Sequence, residues 1–182
     1  MKSRVLVILC FLVSLNAFSQ KKEKNTDNYT YIKLHITNAE GKILLLKWGN
    51  TWEVPGARYS APYTIDKFVD TLAAEDGIKI SNPKLSALFT VEYEDQKKLA
   101  VMQYYSASYV SGSLRVPAGC GDIKWFTLTE ALEILTFDDM KMVINKIKED
   151  PDIVWGAALY KRTDRQTNQP VISLKEPFYK LN

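Results

Sequence analysis

The 182-residue chain carries 24 Lys and Arg against 21 Asp and Glu, and 46% of it is hydrophobic. So even a charge balance leaves no basic footprint for nucleic acid, and no uncharged apolar run reaches the roughly 20 residues that span a bilayer. Cys10, Cys120 and the single His35 offer no partner set for a zinc or haem site.

The first residues read as a cleavable leader. Lys2 and Arg4 precede an apolar run over residues 5–13, and Ala17-Phe18-Ser19 supplies a small-residue exit before Gln20. Residues 1–19 are therefore expected to be a signal peptide, with the mature protein exported to the periplasm or secreted and free of the membrane. About 160 residues then remain, a length suited to one core. Cys120 alone survives cleavage, which leaves no intramolecular disulfide. Residues 20–28, polar almost throughout, read as a solvated tether.

From Tyr29 the pattern turns to strand. In residues 31–36, Ile32, Leu34 and Ile36 share one face while Tyr31, Lys33 and His35 share the other, which predicts a half-exposed histidine. A polar turn over residues 38–42 and the run Ile43-Leu44-Leu45-Leu46 complete a predicted hairpin with a buried second strand. Ile65, Phe68, Val69, Leu72 and Ala73 have helical spacing over residues 64–76. Thr64 is the expected N-cap, Tyr63 the expected staple on Phe68, and Gly77 the stop. Strands are predicted over residues 87–94, 99–105 and 123–126. Thr127 or Thr129 then caps a helix, and a second amphipathic helix covers residues 138–148 up to Pro151. Two strand-like runs, 153–160 and 170–174, are too apolar to be left in water and are expected to extend the sheet.

Trp52-Glu53-Val54-Pro55-Gly56, followed after a loop by a helix ending Ala74-Glu75-Asp76-Gly77-Ile78, resembles the box of the Nudix hydrolases. With Gly56 on the first glycine of that box, Leu72 matches its first aliphatic, Glu75 its last Glu, Gly77 its closing Gly and Ile78 its last aliphatic. Asp122-Ile123-Lys124-Trp125-Phe126-Thr127 resembles the acid-x-x-Trp-Phe segment late in the family. The resemblance implies an α+β fold, a mixed sheet sandwiched between helices. It spans a domain over residues 29–150, and residues 151–182 form a strand-rich C-terminal extension packed on it.

The resemblance also implies a chemistry that these residues no longer supply. In the family, carboxylates on one helix face hold magnesium or manganese against a diphosphate. Here their positions are Pro62, Thr71 and Ala74, with Asp70 in place of the family's Arg, and Glu75 is the one surviving metal candidate. Positions 71, 74 and 75 span about 100° of the helix, whereas Asp70 and Asp66 lie about 140° and 180° from Glu75 and Asp76 about 100° round on the other side. The chain is therefore expected to be a Nudix-fold pseudoenzyme that binds a small molecule or a protein partner without a cofactor. Trp48, Trp52, Arg58, Tyr59, Tyr104 and Tyr105 are its candidate ligand contacts. The alternative is a divergent hydrolase of nucleoside-diphosphate-linked or other phosphorylated compounds, using magnesium or manganese with Glu75 and Asp122 as its catalytic acids.

Overall fold

The computed structural model describes residues 28–94, 98–168 and 170–182, so the expected signal peptide and all of the tether but Asn28 lie outside the described residues. The strands are β1 (Tyr29–Thr37), β2 (Ile43–Trp48), β3 (Thr51–Glu53), β4 (Gly56–Arg58), β5 (Ile78–Tyr93), β6 (Lys98–Gly112), β7 (Asp122–Phe126), β8 (Trp155–Thr163) and β9 (Pro170–Lys180). The helices are α1 (Ile65–Glu75), α2 (Leu128–Ile134) and α3 (Asp138–Glu149). One 9-stranded mixed sheet runs β3-β2-β1-β6-β5-β8-β9, with β4 added to β1 and β7 to β2. The β1–β6 and β5–β8 pairs are parallel.

The sheet separates two cores. Ile32, Leu34 and Ile36 of β1 and Leu44 and Leu46 of β2 pack under α1, against Phe68, Val69, Leu72 and Ala73. Ile43 and Leu45 face the other way, with Phe89, Met102, Tyr104 and Leu159, under Met140, Val143, Ile144 and Ile147 of α3. Each such Leu or Ile contributes about 1.5–3 kcal/mol by burial. The run Ile43-Leu44-Leu45-Leu46 is apolar throughout because β2 is covered on both faces.

β1 is covered on both faces too, and this corrects the half-exposed histidine. His35 is 4% exposed and Lys33 3%, because α3 roofs the face that the alternation suggested was wet. The predicted hairpin closes through Asn38, whose side chain accepts from the N–H groups of Glu40 and Lys42. Its strands then part: β2 turns to β7 and β3, and β1 to β6 and β4.

At the start of α1, Thr64 Oγ1 accepts from Lys67 N–H. The staple differs from expectation: Tyr59 sets its ring edge-on to Phe68 at 5.1 Å, while Tyr63 stays exposed beneath Lys67. Thr127, not Thr129, caps α2, in a reciprocal capping box with Glu130. β5 and β6 run longer than predicted. Bulges between Lys79 and Leu85 absorb Asn82, at φ 54°, and Pro83, so pairing with β6 continues through a segment that reads as broken. β8 and β9 extend the sheet beyond β5, and β9 is its edge.

Candidate functional site

The strand–loop–helix segment from Trp52 to Ile78 builds one wall of a cleft of about 570 Å³ at the C-terminal end of α1. Its two glycines are required by geometry. A Cβ on Gly56 would stand 2.5 Å from the Ile32 carbonyl oxygen and 2.7 Å from Lys33 Cδ, so only glycine lets β4 lie this close to β1. Gly77, at φ +82°, ends the helix, and a Cβ there would meet the Ser113 carbonyl oxygen at 2.3 Å. Leu72 and Ile78 are buried beneath them.

Residues 115–118 form the opposite wall. The Arg115 N–H donates to the Asp76 carbonyl oxygen at 2.8 Å. Its guanidinium donates to the Ala74 carbonyl oxygen at 2.8 Å and the Glu75 carbonyl oxygen at 3.2 Å, a cation clamped on the negative end of the α1 dipole. The Glu75 side chain is exposed and lines the cleft, with no ion-pair partner among the described residues. Asp76 lines it too but is 2% exposed, and its Oδ2 has no hydrogen-bond partner. Burial, reinforced by the Glu75 charge and opposed by Arg115, pushes the Asp76 carboxyl up to about 7. Leu46, Trp48, Pro55 and Val116 make the cleft's apolar surface.

The metal-binding chemistry of the Nudix box does not fit these donors. Thr71 Oγ1 is spent on the Lys67 carbonyl oxygen, Asp66 and Asp70 point to solvent, and Asp76 is shut in. Arg115 already holds the free carbonyls beside Glu75. Among the described residues no three His, Cys, Asp or Glu side chains gather in a cluster able to hold a metal ion. Asp122 does not line the cleft: its carboxylate takes the Lys124 ammonium and the Ile123 N–H, and the Lys124 hydrogen bond holds its pKa below the usual range.

The predicted ligand contacts do not converge. Trp48 borders the cleft, but Trp52 sets its ring edge-on to Phe126 and carries Lys47. Arg58 lies over Tyr29 and lines a separate hollow with Tyr59. Tyr104 is fully buried and has no surface to offer a ligand, because its strand is covered by α3. Tyr105 lies with the α1 core on the opposite face and donates to Gln103. Arg115 and the buried carboxyl of Asp76 were missed by sequence reasoning. Arg115 sits in a loop without periodicity, and only the crossing of that loop over α1 brings the two together.

A mixed sheet with helices on both faces, and a glycine-bounded loop–helix motif forming a cleft, is the architecture of a Nudix-type domain. No family model matches the sequence, and no curated protein is similar to it at a significant level. Solved structures are. A mutator MutT protein from Bacillus halodurans superposes with a TM-score of 0.65 at 19% identity, covering 82% of this chain and 99% of that one. A Nudix hydrolase from Nitrosomonas europaea gives 0.58 at 14% identity over 67% of this chain and 89% of that one. A UDP-X diphosphatase gives 0.55 at 15% identity over 80% and 71%. These likenesses show a fold of the Nudix type.

Proposed function

We propose that this protein is an exported Nudix-fold binding protein that has given up metal-dependent diphosphate hydrolysis and takes a small organic ligand in the cleft at the end of α1. The observation that carries the reading is the Arg115 clamp. A guanidinium fixed on the Ala74 and Glu75 carbonyls puts positive charge beside the last box carboxylate, where a divalent cation would be repelled. The walls suit a planar, partly apolar ligand lying against Trp48. The exposed Glu75 carboxylate, which lines the same cleft, serves as acceptor to a polar group of that ligand. Export rests on the leader pattern of residues 1–19.

The test has two arms. Nucleoside-diphosphate-linked substrates are incubated with magnesium or manganese, and no cleavage above background is expected; turnover that depends on Glu75 or Asp122 would instead establish the divergent hydrolase. Manganese titration of the wild type and of a Thr71→Glu/Ala74→Glu double variant then probes the register. Three carboxylates within about 100° of helix arc should bind the ion where the wild type does not. N-terminal mass analysis of the exported protein should find a start at or near Gln20.

A further inference from the structure

A ladder of cations and aromatic rings crosses one end of the sheet. In the strand order β4, β1, β6, β5, β8 its members are Arg58, Tyr29, Lys98, Tyr93 and Lys161. Lys98, Tyr93 and Lys161 stand in direct register, and β4 joins β1 through the Arg58–Tyr31 pair. The Arg58 guanidinium lies 4.7 Å from the Tyr29 ring centroid. Lys98 Nζ sits astride both rings, 5.1 Å from Tyr29 and 5.2 Å from Tyr93, and Lys161 Nζ lies 5.7 Å from Tyr93. A hydrogen bond of 2.8 Å between the two tyrosine hydroxyls ties the rings together.

Each cation taken alone is satisfied by water and by its ring. Their gathering is what neither accounts for. The whole chain is nearly balanced in charge, yet this strip brings three cations together, and like charges held close repel. Among the described residues none of the three forms an ion pair. The acids whose charge reaches these elements are engaged elsewhere: Glu94 holds the Tyr160 hydroxyl, and Asp139 is largely buried at the start of α3. Beside Arg58 the strip opens into a hollow of about 470 Å³, whose lining adds Asn28, Thr30 and Ser60 and no acidic residue. Asn28 Oδ1 accepts from the Leu99 N–H, which leaves the side-chain N–H groups to donate.

We propose that this end of the sheet binds an acidic polysaccharide. Its carboxylates meet Arg58, Lys98 and Lys161 in turn, and its hydroxyls meet Asn28, Thr30 and Ser60 in the hollow. Nucleic acid fits less well on two counts. Bases need open ring faces on which to stack, and Tyr29 and Tyr93 each already carry two cations. Phosphates recur about every 3.4 Å along a strand. The cation-bearing strands are two strand spacings apart, about 9–10 Å, which suits a polymer charged on alternate sugars. No residue of the hollow lines the Arg115 cleft, so the proposal stands whether or not that cleft holds a ligand.

The probe is a fluorescent hyaluronan decasaccharide, which carries a carboxylate on every second sugar, titrated with the protein and read by anisotropy. Saturable binding that weakens as sodium chloride rises is expected, with neutral dextran and a single-stranded oligothymidylate bound far more weakly. The Lys98→Gln/Lys161→Gln double variant should weaken it about ten-fold, the loss of two surface ion pairs. Arg58→Gln, on another strand, should weaken it independently, and thermal melts verify that each variant folds. Lys79→Gln, an exposed lysine at the far end of β5, makes a matched charge change and should leave binding as it was. Absence of saturable hyaluronan binding, an equal loss in Lys79→Gln, or binding of dextran or the oligothymidylate as tight as that of hyaluronan overturns the proposal.

Discussion

The two faces of β1 are both buried and built from opposite chemistry. Toward α1 the strand presents Ile32, Leu34 and Ile36, each at 0% exposure, and the contact is dispersion and apolar burial alone. Toward α3 it presents Tyr31, Lys33 and His35. There the Lys33 ammonium meets Glu53 at 2.7 Å, the Tyr31 hydroxyl donates to the Gly56 carbonyl oxygen, and the Tyr104 hydroxyl and Asp139 Oδ1 are buried without partners. A period of two in hydropathy therefore reports that two faces differ, not that one of them is wet. The polar face is tied to the Nudix loop, since Glu53 and Gly56 both belong to it. It holds that loop in place through directional bonds rather than through filling volume.

The largest effect should come from the polar face. Lys33→Met leaves the Glu53 carboxylate half-buried without its cation and should cost about 3–5 kcal/mol, read from urea unfolding. Adding Glu53→Leu removes the stranded charge and should recover most of that loss. A double variant as unstable as the single one would show that the pair holds the loop by more than its mutual charge.

On the apolar face, Leu34→Ala should cost about 2–5 kcal/mol through transfer and cavity terms, with no second-site change able to rescue it by charge. Rescue by a polar substitution nearby would break the contrast between the faces.

Titration should separate the two sides with opposite signs. Burial raises the Asp76 carboxyl from 3.8 to about 7, so the folded state binds the extra proton: this stabilisation is full below pH 3.8 and is lost as pH rises toward 7. His35 is lowered from 6.5 to about 4, so its contribution is full above pH 6.5 and is lost as pH falls toward 4. Melting curves between pH 4 and 7 should therefore tilt toward greater acid stability in His35→Gln and toward greater neutral stability in Asp76→Asn, each compared with the wild type. Parallel curves for the two variants would mean that one of the groups is not buried as described.

The smallest change is expected at the cleft. Arg115→Gln removes a cation from the C-terminal end of α1, worth about 0.3–1 kcal/mol in thermal unfolding. It should also raise the Asp76 pKa further, because the Arg115 charge acts to lower it.

Much of the fold was legible because it is written in local terms. The spacing of Phe68, Val69, Leu72 and Ala73, the Thr64 cap and the Gly77 stop define α1, and Gly56 and Gly77 hold positions where a Cβ has no room. The spread of Asp66, Asp70, Glu75 and Asp76 around the helix was equally plain, since a helical arc follows from residue numbers alone. What tertiary structure decided is burial and company. His35 became a core residue because α3 roofs its strand, and Tyr104 left the set of ligand contacts for the same reason. Asp76 acquired a near-neutral pKa because a loop some forty residues downstream folds over it and brings Arg115 to the helix end. Hydropathy patterns encode which face of an element differs from the other. Which neighbour covers that face, and which charge stands beside a given carboxylate, depends on long-range packing that no local pattern carries.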